Sequence, residues 1–222
     1  MAGGELLKIA KLKSVISEFE SYKVAVDNFK TQYENLPGDI PNATSFWTTA
    51  QNSGTAVANG NGNEKIGAAG TDLSGSGLES YYLWNHLTLS KFVPGTFAGD
   101  STSAATTGTN VPLSKFLESV GFSINYFATP FSYVDAIGRN FPGNYMAIGK
   151  TSGSNNYLSE NALVPTDASY IDSKIDDGTP DFGKVLGADG AGGALCTSGS
   201  APDIIYNKSA VAVGCILLVS ID

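Results

Sequence analysis

The chain has 222 residues, enough for one domain with a buried core. Its formal charge of −8 and pI near 4.6 argue against nucleic acid or an anionic membrane surface as partner. Only 15% of the residues are charged, and Gly, Ser, Thr and Asn are abundant, which fits an exported, loop-rich, β-containing surface protein better than a cytosolic helix bundle.

The first stretch predicts one long helix, roughly Leu6 to Tyr33. Leu12, Ile16, Phe19, Tyr22, Val26, Phe29 and Tyr33 recur at steps of three and four and form one apolar stripe. Lys11, Lys13, Glu18, Glu20, Lys23, Asp27 and Lys30 fill the other faces. Leu36-Pro37-Gly38 ends the helix, because proline cannot extend the hydrogen-bond ladder and restricts the residue before it. At about 1.5 Å per residue this is a rod roughly 40 Å long, a spine on which a smaller sheet can be laid. Leu6, Leu7, Ile9 and Val15 lie off the main stripe, as spare apolar surface for neighbouring rods or as extra contact with the domain's own loops. Met1-Ala2-Gly3-Gly4 reads as a trimmed junction, and the helix, lacking a convincing cap, as the lower half of a longer one. No stretch of these residues reads as a signal peptide or as a membrane span.

Residues 36–47 form a stiff loop in which Phe46 and Trp47 fold back on the helix. Residues 51–77 read as a long surface loop containing Asn59 to Gly67, NGNGNEKIG. A helical pattern returns over 79–90, with Tyr82, Leu83, His86 and Leu87 on one face. Residues 100–110 are low-complexity loop. A short helix is expected over 111–120, opened by Pro112 and closed by Gly121.

Alternation then predicts strands at 122–126 and 144–149. Residues 166–177 predict a helix capped by Thr166 or Asp167, with Ala168, Ile171 and Ile175 inward and Gly178 as its stop. A short strand follows at Val185-Leu186. The apolar run 211–221 predicts a central strand. A long helix, then loops and short helices, then strands, makes an α+β single domain. Cys196 and Cys215 are compatible with one disulfide formed in an oxidising compartment, the alternative being two buried free thiols.

Little in the sequence suggests an enzyme. His86 is the one histidine and lies in an aromatic helix, where a satisfied core role is expected. No His/Cys/carboxylate cluster has transition-metal spacing, no Gly-x-Ser-x-Gly elbow occurs, and no glycine-rich stretch forms a phosphate loop with its lysine. Calcium is the ligand worth arguing. NGNGNEKIG has the alternation of a calcium loop, but Glu64 is its single carboxylate. Asp176, Asp177 and Asp181 form a denser acidic group around Gly178 and Pro180. The alternative is a helix C-terminus followed by solvated turn carboxylates, opposed by the helix dipole unless a cation or Lys174 and Lys184 offset them.

The runs ISEFESYKVAVDNFKTQYENLPGDIPNATSFW, GNGNEKIG, ESYYLWNHLTLSKFVPGTFAGD and YIDSKIDDGTPDFGKV, with the cysteine-bounded C-terminal segment, resemble the bacterial prepilin-type proteins. These are the type IV pilins and the pseudopilins of type II secretion. The resemblance implies a spine helix at 1–35 packed on an antiparallel sheet, with a pilin-like head at 36–222. It implies a non-enzymatic filament subunit, assembling with copies of itself and other pilin-like subunits. It would be held in the inner membrane before assembly by an apolar half-helix that this sequence does not contain, and would end in a periplasmic or cell-surface filament. The loops at 51–77 and 95–110 would face outward. The family's cleavage motif is absent, and Glu5 does not match the family's N-terminal glutamate, since its neighbours are not an apolar run. Calcium occurs in some pseudopilins near this C-terminal region, which favours the Asp176, Asp177 and Asp181 group. A Cys196–Cys215 bond would pin a projecting surface and leans toward pilin. The competing reading is a secreted adhesin or carbohydrate-binding module stacking sugars on Tyr81, Tyr82, Trp84 or Tyr133.

Overall fold

A computed structural model describes residues 2–67, 79–97, 99, 104–116, 119–128, 142–153, 157–190, 195–199 and 203–222. Helix α1 spans Ala2–Tyr33, a short 3-10 turn spans Ala43–Ser45, and α2 spans Glu79–Leu89. Strands β1 (Val120–Phe127) and β2 (Gly143–Lys150) precede α3 (Pro165–Ile175). Strands β3 (Val185–Asp189), β4 (Thr197–Ser198), β5 (Ile205–Tyr206) and β6 (Cys215–Ser220) follow. The fold is α+β: a long N-terminal helix beside a four-stranded antiparallel sheet of order β1-β2-β6-β3, with β4 and β5 forming a small second sheet. No described helix is long and apolar enough to cross a membrane.

Register places the apolar side chains. Phe122 pairs with Ile148 and Ile124 with Met146, while Met146 and Val185 both pair with Val219. With a side-chain period of two, these residues share the sheet face that meets the helices. The spine meets this face through aromatic edges: Phe19 lies 5.1 Å and Tyr22 5.2 Å from Phe122, and Tyr22 lies 5.1 Å from Trp84. Farther along, Phe29 is fully buried among Tyr33, Trp47, His86 and Phe92. Burying one such ring contributes about 2 kcal/mol. The opposite face carries Tyr145, Ala147, Leu186 and Leu218, with Phe127 against them.

Several expectations change. Val15 is fully buried and is not spare surface, because Leu12, Val15, Phe19, Tyr22, Val26 and Phe29 make the better three-and-four progression toward the sheet. The helix expected at 111–120 is extended among its described residues. Val111 bridges Thr107, Leu113 bridges Gly121, and Ser114 N–H donates to Val120 O, so this segment lines the β1 edge. Helix α3 starts at Pro165 with Val164 as its N-cap and no side-chain cap; Asp167 instead pairs with Lys8 of the spine at 2.7 Å. Strand β6 is as central as predicted, but it begins at Cys215, and Val211 is 91% exposed. The described parts of the two long loops carry buried anchors at Asn52, Val57, Ile66, Phe97 and Ala105, so neither lies wholly on the surface.

Candidate functional site

Three places bear on function: the open start of the spine, the acidic turn after α3, and the junction where the spine ends. At the start, Leu6 and Leu7 are 68% and 60% exposed, and Ile9 is half-buried. The Lys8–Asp167 ion pair fixes this end of the rod against α3, so the two leucines are presented from an anchored helix. Val24, farther along the rod, is also exposed.

In the acidic turn, Asp172, Asp176 and Asp177 each place a carboxylate oxygen within 4.8 Å of the others. Asp181 does not join this group. It is buried, and Asp172 takes its place in the group. Asp172 lies in the last turns of α3 and Asp176 is its C-cap, four residues on. Asp172 accepts from Tyr206 Oη at 2.7 Å and from Gly178 N–H at 3.0 Å, tying α3 to β5. Asp176 accepts from Lys184 N–H and, at 3.3 Å, from Val185 N–H. Asp177 accepts from Thr179 N–H at 2.8 Å and Thr179 Oγ1 at 2.6 Å. Burial pushes Asp172 up to about 7; the charges of Asp177 and Asp176 add to the rise, and its two hydrogen bonds oppose it. A hard cation needs six or more oxygens, usually including several carboxylates. Three carboxylates with lone pairs left over supply part of that set, and a bound cation would offset the smaller push that Asp177 and Asp176 add to the burial of Asp172. The residues fit a weak calcium site with Asp172, Asp176 and Asp177 as its acids.

The junction is built on Pro37-Gly38-Asp39. Gly38 has φ +87°, and a Cβ there would fall 2.4 Å from Glu79 O, so only glycine makes this turn. Gly38 N–H donates to His86 Nδ1 at 2.9 Å, which leaves the proton on Nε2, 3.0 Å from Ala58 O. His86 is a satisfied core residue, and burial holds its pKa down at about 4. Asp39 accepts from Gly62, Asn63 and Glu64 N–H at 2.7, 3.0 and 2.7 Å. Glu79 accepts from Asn61 and Gly67 N–H, both at 2.9 Å. Burial, with a smaller push from Asp39, holds Glu79 above the usual carboxylate range against these two bonds. The NGNGNEKIG loop is therefore not a calcium loop: it turns backbone donors inward and closes them on the protein's own carboxylates. Asp39 and Glu79 gave no sequence signal beyond following turn residues and opening a helix.

Cys196 and Cys215 form a disulfide, and both residues are fully buried. It fastens the start of β4 to the start of β6, where Cys196 N–H also donates to Asp189 at 2.7 Å. Tyr81, Tyr82 and Trp84 cannot serve as sugar-stacking platforms, because α2 is packed on all sides and they are at most 8% exposed. Tyr133 lies outside the described residues. No protein-family model, curated protein or solved structure matches this chain.

Proposed function

We propose that this chain is a non-enzymatic structural subunit of a filament of the type IV pilus or type II secretion pseudopilus kind. The observation that carries the proposal is the division of the spine. Its later part is packed on its own head, with Phe19 against Phe122 of β1, Phe29 against Trp47 and His86, and Val15 and Val26 buried, while its first turns hold Leu6 and Leu7 outward. Burying two leucines between neighbouring copies would contribute several kcal/mol per contact, set against the entropy of association. Ile9 sits at the border of that surface. The partners are copies of this chain and related subunits. The same reading takes the subunit to be exported, held at the inner membrane by sequence before the spine, and then built into a periplasmic or surface filament, including one used in adhesion. The disulfide supports an oxidising compartment.

The test is electron microscopy with immunogold labelling of surface-sheared material from the host cell. Labelled filaments are expected, and a Leu6→Asp/Leu7→Asp variant that remains folded by circular dichroism should be lost from the sheared fraction. Recovery of the wild-type chain solely as a soluble monomer in the medium would overturn the proposal.

A further inference from the structure

We propose that residues 58–65 are an acid-released strap, with His86 as the latch that holds them over the end of the spine. The geometry carries this. The described strap residues contain no helix or strand, and most of their bonds are to side chains or to the 36–40 turn. Ala58 O is held by the imidazole, and Gly60 N–H donates to Ile40 O at 2.8 Å. Asn61 is held by Glu79, and Gly62, Asn63 and Glu64 are held by Asp39. One ring thus joins both segments to α2: the turn at Nδ1 and the strap at Nε2. A doubly protonated imidazole has no acceptor, so Nδ1–H would point at the Gly38 N–H. That contact cannot survive protonation, and the ring lies stacked against Trp47 and Phe29 with no water-exposed side. Protonation therefore favours the open latch.

Besides His86, the ionisable groups of the turn, the strap and α2 are Asp39, Glu64, Lys65, Glu79, Tyr81 and Tyr82, and the spine adds Tyr33, whose ring packs on Phe29 and Trp47. Both ring nitrogens are taken up by backbone atoms. The open form binds a proton near the ordinary histidine value, and the closed form only near pH 4. Acid therefore favours opening, by up to about 20-fold between pH 7 and pH 5. Glu79, raised by burial, acts in the opposite sense, since its protonation favours the closed form. Opening would uncover the rings around Phe29 and free the turn at the spine's end, while the β1-β2-β6-β3 ladder stays paired.

Amide hydrogen exchange by NMR on the full chain, corrected for intrinsic pH dependence, tests this. Gly60, Gly62 and Asn63 are expected to open more at pH 5 than at pH 7, approaching 20-fold, while Ile148 and Leu217 do not. In His86→Gln the acid-driven opening of the strap should be lost, leaving only the opposite response of Glu79. If that variant does not fold, the wild-type imidazole supplies the second reading: as the sole histidine it gives one titration curve, expected to move together with strap opening. The proposal is overturned if strap and sheet respond equally, if the strap shows no pH response, or if the imidazole titrates near 6.5 while the strap stays protected.

Discussion

Removing the disulfide is the sharpest test of how the C-terminal part of the head is held. Cys196 and Cys215 are 19 residues apart in sequence. In the chain-entropy model, closing a loop of about 20 residues destabilises the unfolded ensemble by about 3 kcal/mol at 25 °C. Two Cys→Ala changes add a smaller loss, because both sulfurs sit in the core. The expected outcome for Cys196→Ala/Cys215→Ala is a stability loss of about 3 kcal/mol, or a melting temperature lower by roughly 6–12 °C for a chain of this size. Urea unfolding of the oxidised wild type and the double variant, followed by circular dichroism, measures it. The m-value of the variant should rise, since its unfolded chain is no longer cross-linked and exposes more surface. The fold should persist, because β6 keeps its pairing with β2 and β3 and Leu163 still bridges residue 215 through backbone bonds. Equal midpoints for the two proteins would refute the reasoning. So would ready labelling of native wild-type cysteines by a thiol reagent without reductant.

Two further outcomes concern the acidic turn. The folded pKa of Asp172 lies above its unfolded value, so its contribution is fully present below about pH 4 and is lost as pH rises toward 7. The stability of Asp172→Asn relative to wild type should therefore rise from pH 4 to pH 7; a flat difference across that range contradicts the assignment. Calcium should raise the wild-type melting temperature and give heat in titration calorimetry, with both effects weakened in Asp177→Asn. No heat and no shift would remove Asp172, Asp176 and Asp177 as a cation site.

The spine was readable because its apolar positions keep one spacing from Leu12 to Tyr33, and because proline and glycine mark its end. Val15 was misplaced because two adjacent rows, through Val15 and Ile16, fit the same spacing, and only the sheet's position chooses between them. The segment 111–120 read as helix because Pro112 and Gly121 look like helix punctuation. Its real constraint is the edge of β1 just after it, onto which it folds back through Leu113–Gly121 and Ser114–Val120, a pairing that gives no apolar/polar alternation of its own. The acidic turn was found in outline. Asp172 was missed because a carboxylate one turn inside a helix reads as solvated surface until Tyr206 arrives from far along the chain. The junction was invisible for the same reason: Asp39 comes from the turn, Glu79 and His86 from α2, and Asn144, which accepts from Ile66 N–H at 2.8 Å, from β2. The backbone donors they satisfy belong to a loop whose composition alone suggests freedom.

Gly60 illustrates how unevenly that loop can tolerate change. A methyl group there would fall 2.3 Å from the main chain of Asp39, whereas Gly54, six residues earlier, has nothing within 4 Å. An epitope tag or a foreign peptide spliced in at 53–55 would project into open space, at the cost of the local bonds from Gly54 N–H to Thr49 O and from Thr55 N–H to Asn52 O. The same insert at 60 would pry the loop from the elbow beneath it, so vaccine or display engineering on this scaffold has a usable port and a forbidden one within a single stretch of chain.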